Sequence, residues 1–322
     1  MICIQKIMME LNTWIYLRVL QKQPLFNAYV SVFRRFCDQY KGQLRAQTDI
    51  HLQLKLFTEL LRIQVPRLYE AQLQSVELLN QTAQEYVMMR EYGVQACHYF
   101  DLFYPHSFDG IDDPPWTFSF LGCPTWNECI RVGIVGSREV HASTSHLFRS
   151  VMSPWLKNQN CSIVSGGARG VDQLAHQMAL FHSKPTFAWM PSGLKNIYPQ
   201  QFTRWLKDIC VHGAVLSEFD FSQEVRKYHF QIRNRLISAM SDVLIIPQSS
   251  RKSGTMMTAH SALGYGKPLW VFPGHVLQDF MGGNLDLLQI GASLVTSVDD
   301  LSNLYSSEFK ITTRDFTTDS VS

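Results

Sequence analysis

Residues 130–138 read IRVGIVGSR, and residues 161–172 read CSIVSGGARGVD. In each stretch a short apolar run ends in glycine or serine and is followed by a segment of helical length. Such runs lack the in-out alternation of a half-exposed strand, so both faces are buried, as in a parallel sheet covered by helices. The pattern recurs at 186–189, 214–216, 242–246 and 268–272, and helices are expected after His141, Gly170, Tyr198, Gln231 and Ser253. Strands alternating with helices define an α/β fold with a mostly parallel sheet, and such sheets take ligands at the carboxyl ends of their strands.

Upstream the texture differs. Only Gly42 and Gly93 occur in the first hundred residues, and Leu, Gln, Met and Glu recur at three- and four-residue spacing, which predicts helices. Leu52, Leu56, Phe57, Leu60 and Leu61 form one apolar stripe, and Leu73, Val76, Leu79 and Ala83 another. Tyr104-Pro105, Asp112-Asp113-Pro114-Pro115 and Gly122-Cys123-Pro124 are too rich in proline for helix. The expected organisation is a small all-helical N-terminal domain over 1–100, a proline-rich connector over 101–129, the α/β domain over 130–306 and a polar tail over 307–322.

The chain of 322 residues, 46% hydrophobic and 17% charged, is long enough for a self-sufficient core and for about two domains. With 29 basic against 27 acidic residues, a nucleic-acid role depends on local clustering of charge. The seven cysteines contain no C-x-x-C pair, and Cys97-His98, Cys123 and Cys129 lack zinc spacing, so free thiols and no metal are expected. Gln5, Lys6 and Glu10 interrupt the N-terminal apolar residues before an export signal forms, and no run approaches the roughly 20 apolar residues of a membrane span. A cytoplasmic protein is expected.

Three strand-to-helix junctions carry the chemistry: Gly136-Ser137-Arg138, Ser165-Gly166-Gly167-Ala168-Arg169-Gly170, and Ser253-Gly254-Thr255. Glycine lets a ligand approach the backbone, and amides at a helix start attract phosphate. One such loop is commonly just a tight turn. Three expected on one sheet edge, with Arg138, Arg169, Arg251 and Lys252 in or beside them, point to an anionic ligand. The second junction approaches a dinucleotide-binding pattern, but that pattern needs an acid about twenty residues on to hold the ribose. Between Asp172 and Asp208 there is none. Gly264-Tyr265-Gly266-Lys267, followed by Pro268, lacks P-loop spacing. No cofactor is expected.

Densest is 226–235, RKYHFQIRNR, where Arg226, Lys227, Arg233 and Arg235 interleave with Tyr228, Phe230 and Asn234 without an acid. Cations beside aromatics hold phosphates and stack bases irrespective of sequence. The plainer reading is a helix start whose Phe230 and Ile232 enter the core while the arginines pair with Glu218, Asp220 or Glu224. Glu218 is expected to anchor Arg233 or Arg235, and His176 to pair with Asp172 or enter the core. The rim as a whole is expected to hold amides and guanidinium groups and no reactive carboxylate.

These residues resemble the DNA-processing protein A family (DprA, also called Smf) of bacterial natural transformation. The similarity runs in order through Tyr104-Pro105, Asp113-Pro114-Pro115, 134–138 (IVGSR), 163–172 (IVSGGARGVD), Tyr198-Pro199, Leu216-Ser217-Glu218, 230–237 (FQIRNRLI), Ser253-Gly254-Thr255, Pro273-Gly274 and Gly283-Asn284-Leu285. It implies an extended Rossmann-like domain that binds single-stranded DNA without strong sequence preference, protects it, forms a homodimer and helps load the recombinase RecA, with no catalytic residues. The implied site comprises Gly136, Ser137, Arg138, Ser165, Gly166, Gly167, Arg169, Gly170, Lys227, Phe230, Arg233, Asn234, Arg235, Ser253, Gly254 and Thr255. The segment after Arg138 lacks the family's usual Ser-x-Tyr-Gly, and Gly167 stands where leucine is frequent. The alternative on a similar scaffold is a LOG-like nucleotide phosphoribohydrolase, which needs a glutamate in a PGG-x-GT-x-x-E motif. Thr258 stands there, and an uncharged hydroxyl is no acid or base near neutral pH.

Overall fold

The structure, a computed structural model, describes residues 13–22, 26–47, 49–67, 69 and 76–309. The expectations for residues 1–12, for Leu73 and for 310–322 lie outside the described residues. In chain order the elements are α1 (Thr13–Lys22), α2 (Phe26–Ala46), α3 (Ile50–Gln64), α4 (Val76–Glu91), β1 (Gln95–His98), β2 (Thr117–Gly122), β3 (Ile130–Ile134), α5 (Ala142–Leu147), α6 (Ser153–Lys157), β4 (Cys161–Ser165), α7 (Val171–Phe181) and β5 (Thr186–Trp189). There follow α8 (Leu206–His212), β6 (Ala214–Ser217), α9 (His229–Met240), β7 (Val243–Ile246), α10 (Gly254–Gly264), β8 (Leu269–Val271), α11 (Gly282–Gln289), β9 (Ser293–Leu294) and α12 (Val298–Phe309). They divide into two compact units. One takes the described residues up to 127 together with 189–229, the other 128–188 with the described residues from 230 onward.

In the first unit, α1 turns Trp14, Ile15, Leu17, Val19 and Leu20 inward. The inward face of α3 is Gln53, Phe57 and Leu61, one step round from the expected stripe, with Leu52 left exposed. Gln53 can be buried because its amide donates to the Leu44 carbonyl (2.9 Å) and accepts from the Thr13 hydroxyl (3.0 Å). The 101–129 segment is not a connector. Its proline-free stretch forms β2, which pairs antiparallel with β1 and with β6. Around the prolines, Tyr104 donates to the Pro115 carbonyl (2.9 Å) and Trp126 to the Phe103 carbonyl (2.6 Å), so proline excludes helix here without excluding a packed core. Residues 189–229 join this unit through Asp220, which accepts from Arg18 and Lys22 (both 2.8 Å).

The second unit carries the parallel sheet, in the order β5-β4-β3-β7-β8-β9. Val132 stands between Ile163 on one side and Val243 on the other. The expected strands at 132–135, 162–164, 186–189, 242–246 and 268–272 all appear within a residue or so, and β6 likewise in the first unit; β1, β2, β9, α11 and α12 were not anticipated. The expected tail begins inside α12. Val132, Ile134, Ile163, Val243 and Ile245 pack against Phe148, Trp155, Ala175 and Trp270 in a single core. From β3 the chain moves outward to β4 and β5, then returns on the other side to β7, β8 and β9. The connections leaving β3 and β7 therefore diverge, and a crevice opens outside their carboxyl ends.

Candidate nucleic-acid interface

A cavity of about 450 Å³ lies at that crevice. Gly136, Ser137 and Arg138 line it from the end of β3, and Ser253, Gly254 and Thr255 from the start of α10. The third wall is α9, which presents Phe230, Arg233, Asn234 and Ile237. Their i, i+3, i+4, i+7 spacing puts them on one helical face. The basic run thus becomes helical from His229 onward, and one face of that helix borders the cavity. At the mouth, the exposed Arg138 guanidinium lies over the half-buried Phe230 ring, 5.0 Å from its centroid, a cation–π pair.

Arg233 does something else. It is 3% exposed, and its Nη1 donates to the Gly166 carbonyl (2.5 Å). A β-carbon at residue 166 would occupy the place of this guanidinium, so glycine is needed there to admit Arg233, not a ligand. The carboxylate that faces Arg233 from within the same unit is Asp172. Asp172 is 6% exposed, and its Oδ2 accepts from the Ala168 amide (3.4 Å). Burial pushes the Asp172 carboxyl up to about 6, even though Arg233 and the amides of Ala168, Gly136 and Gly166 pull it down. Burial likewise lowers Arg233 to about 10. Because Asp172 and the exposed Glu139 both line the cavity, the expectation of a rim without a reactive carboxylate is corrected.

The second glycine loop supports the first one more than it meets a ligand. The buried Ser165 hydroxyl donates to the Ile134 carbonyl (2.6 Å), and the Val171 amide to the Ser137 carbonyl (3.0 Å). Gly170 has φ +93° and lies so close to that same carbonyl that no β-carbon fits. Of this loop only Ala168 lines the cavity; Ser165, Gly166 and Gly167 are buried and Arg169 is exposed elsewhere. Arg235 and the exposed Lys227, in the turn before α9, do not line it either. His176 enters the core, with Nδ1 2.7 Å from the Thr186 hydroxyl, and burial lowers its pKa to about 3. Arg251 pairs with Asp286 (3.1 Å). Sequence reasoning missed Val135, Glu139, Ala168, Asp172, Ile237 and Thr258 as cavity residues, of which Asp172 and Ile237 carried a readable signal. Their signal was the position of Asp172 in the first turn of α7 and the register of Ile237 with Phe230. Among the described residues no His, Cys, Asp and Glu side chains gather into a metal-sized group, and no helix is long and apolar enough to cross a membrane.

A crevice at the strand-order reversal of a parallel sheet, walled by loop amides, an arginine and an aromatic ring, defines an α/β protein of Rossmann-like architecture with a site suited to anions. The family model of DNA recombination-mediator protein A matches residues 95–306, and the chain belongs to that family. DNA processing protein DprA of Bacillus subtilis is 29% identical over 243 residues, 71% of this chain and 80% of the relative. The protein of the same name from Streptococcus pneumoniae is 32% identical over 198 residues, 62% and 70% of the two chains. The X-ray structure of DprA from S. pneumoniae superposes with a TM-score of 0.73 at 25% identity, covering 91% of this chain and 98% of that one. A structure of DNA processing protein A from Helicobacter pylori, whose subject is its single-stranded DNA binding mode, superposes at 0.59 with 32% identity, covering 67% and 96%.

Proposed function

We propose that this protein binds single-stranded DNA in the β3–β7 cavity as a non-enzymatic DNA-processing protein. In this reading it acts in the cytoplasm, as a homodimer, protecting strands taken up in transformation and passing them to RecA. The observation that carries the reading is Arg138 over Phe230 at the cavity mouth. A base can take the ring face while the guanidinium turns to its phosphate, and stacking of that kind is indifferent to base identity. Membership in the family and the single-stranded DNA binding of the H. pylori relative support it. Titration with labelled oligothymidylate at several salt concentrations tests it. Affinity should fall with a log–log slope of about −0.7 per phosphate engaged, and a mixed-sequence strand should bind within a few-fold. Absence of binding, or binding indifferent to salt, overturns the reading.

Asp172 adds a pH dependence. Its carboxyl, raised to about 6, is ionised at pH 8, where it offsets the pull of Arg233 on a phosphate in the cavity, and becomes mostly neutral as pH falls below 6. Oligothymidylate should therefore bind roughly fivefold more tightly at pH 5.5 than at pH 8, about 1 kcal/mol of charge interaction across a hydrated cavity. Asp172→Asn, which also leaves the Arg233 charge without its carboxylate, should flatten that profile at the tighter affinity, as measured by anisotropy across the pH range at a temperature well below the melting point of the variant. The nucleotide-hydrolase alternative has no support at Thr258, which is buried and donates its hydroxyl to the Gly254 carbonyl in its own helix (3.2 Å). Incubation with AMP is expected to release no free base.

A further inference from the structure

In the second unit, α7 carries Leu174, Gln177, Met178 and Phe181 on one face, at i, i+3, i+4 and i+7. They form one wall of a groove of about 370 Å³. The opposite wall is Phe148 and Arg149, from the π-helical turn Phe148–Met152, and Ser153 at the start of α6. Turns of this kind recur at functional positions in helices. Phe148 and Met178 are the buried floor, continuous with the core of the unit. Phe181, by contrast, is 81% exposed. The His182 ring meets it edge-on (centroids 4.9 Å apart, 80° between planes), and His182 Nε2 lies 2.7 Å from the Ser153 hydroxyl, so His182 links the two walls beside the exposed ring. This cavity shares no lining residue with the β3–β7 cavity.

Among the residues that line the groove the one charge is positive, that of Arg149. From Val140 to Gly170, and again from Gln173 to Lys207, the sequence has no acidic residue. Arg149 lines the groove, and Lys157 and Lys184 lie near enough to His182 to help burial depress its pKa. The intervening Asp172 is buried at the far end of α7. A trough floored by Met and Phe, with Arg149 in its wall and Lys157 and Lys184 close to the adjoining His182, is complementary to a helix that has apolar residues on one face and carboxylates beside them. A nucleic-acid backbone could use the rim but would leave the apolar floor and Phe181 unmatched. We infer that this groove docks an acidic amphipathic helical segment of a partner protein.

The test is fluorescence anisotropy on the full chain, with a labelled helical peptide of about 14 residues that has leucine at i, i+3, i+4 and i+7 and glutamate or aspartate elsewhere. Phe181→Ser and Arg149→Glu should each weaken its binding about tenfold or more, with unchanged melting temperature and unchanged oligothymidylate affinity. A version with lysine replacing every acid should bind at least about tenfold less tightly than the acidic peptide. Equal binding of the acidic peptide to the parent and both variants overturns the inference, as does equal binding of the basic peptide. If Arg149→Glu lowers oligothymidylate binding and spares the peptide, the face belongs to nucleic acid and the inference is likewise overturned.

Discussion

Replacing Arg233 by alanine is expected to destabilise the protein by about 3–5 kcal/mol, because removing one partner of a buried pair leaves the other charge uncompensated. The partner left is Asp172, 6% exposed, and the Gly166 carbonyl loses its donor at the same time. At roughly 2–4 °C per kcal/mol for a unit of this size, the melting temperature should drop by about 10 °C. The effect should also depend on pH, with a sign fixed by Asp172. Its carboxyl is raised in the fold to about 6 from 3.8, so its stabilising share is present when it is protonated and is lost as pH rises toward and through 6. The Arg233→Ala deficit should therefore be small near pH 5 and large near pH 8. Arg233→Ala with Asp172→Asn should recover part of the loss at pH 8, since removing both charges costs less than orphaning one. A deficit that is the same at both pH values would show that Arg233 serves packing alone.

This pair also marks where the sequence ceased to be legible. The strands of the parallel sheet could be read because strands buried on both faces are nearly pure apolar runs, as at 243–246, where all four residues are buried. The glycine junctions after β3 and before α10 could be read because their chemistry is local. The role of Arg233 could not, because its partners, Gly166 and Asp172, are more than sixty residues away, and nothing in RNR distinguishes the buried arginine from its half-buried neighbours. The same limit hid β2, whose run TFSFLG is flanked by proline-rich turns and finds its hydrogen bonds on β1 and β6, about twenty residues back and ninety-five ahead. In α3 the stripe slipped by one position because Gln53, a polar residue, takes an inward place that propensity assigns to Leu52. Hydrogen bonds to Leu44 and Thr13 decided that register, and they are tertiary.

Phe230→Ala and Arg138→Ala should separate the two components of strand binding, provided both touch the same nucleotide. Loss of a stacking ring costs about 1–3 kcal/mol, a fall in oligothymidylate affinity of roughly 5- to 150-fold. Stacking engages no counterion, so the salt slope of Phe230→Ala should stay that of the parent. Arg138→Ala should instead make the slope shallower by about 0.7, the loss of one phosphate contact, so that its affinity approaches that of the parent as salt increases. Because the guanidinium sits 5.0 Å from the ring centroid, the two are not independent. Arg138→Ala also uncovers the ring, removing a competitor of the incoming base, which should offset part of the lost phosphate contact at low salt. The double variant should accordingly lose a different amount of affinity from the sum of the single losses, whereas positions without a shared partner add. Strict additivity would place ring and guanidinium on different nucleotides, and wild-type binding by both single variants would remove the cavity mouth from the path of the strand.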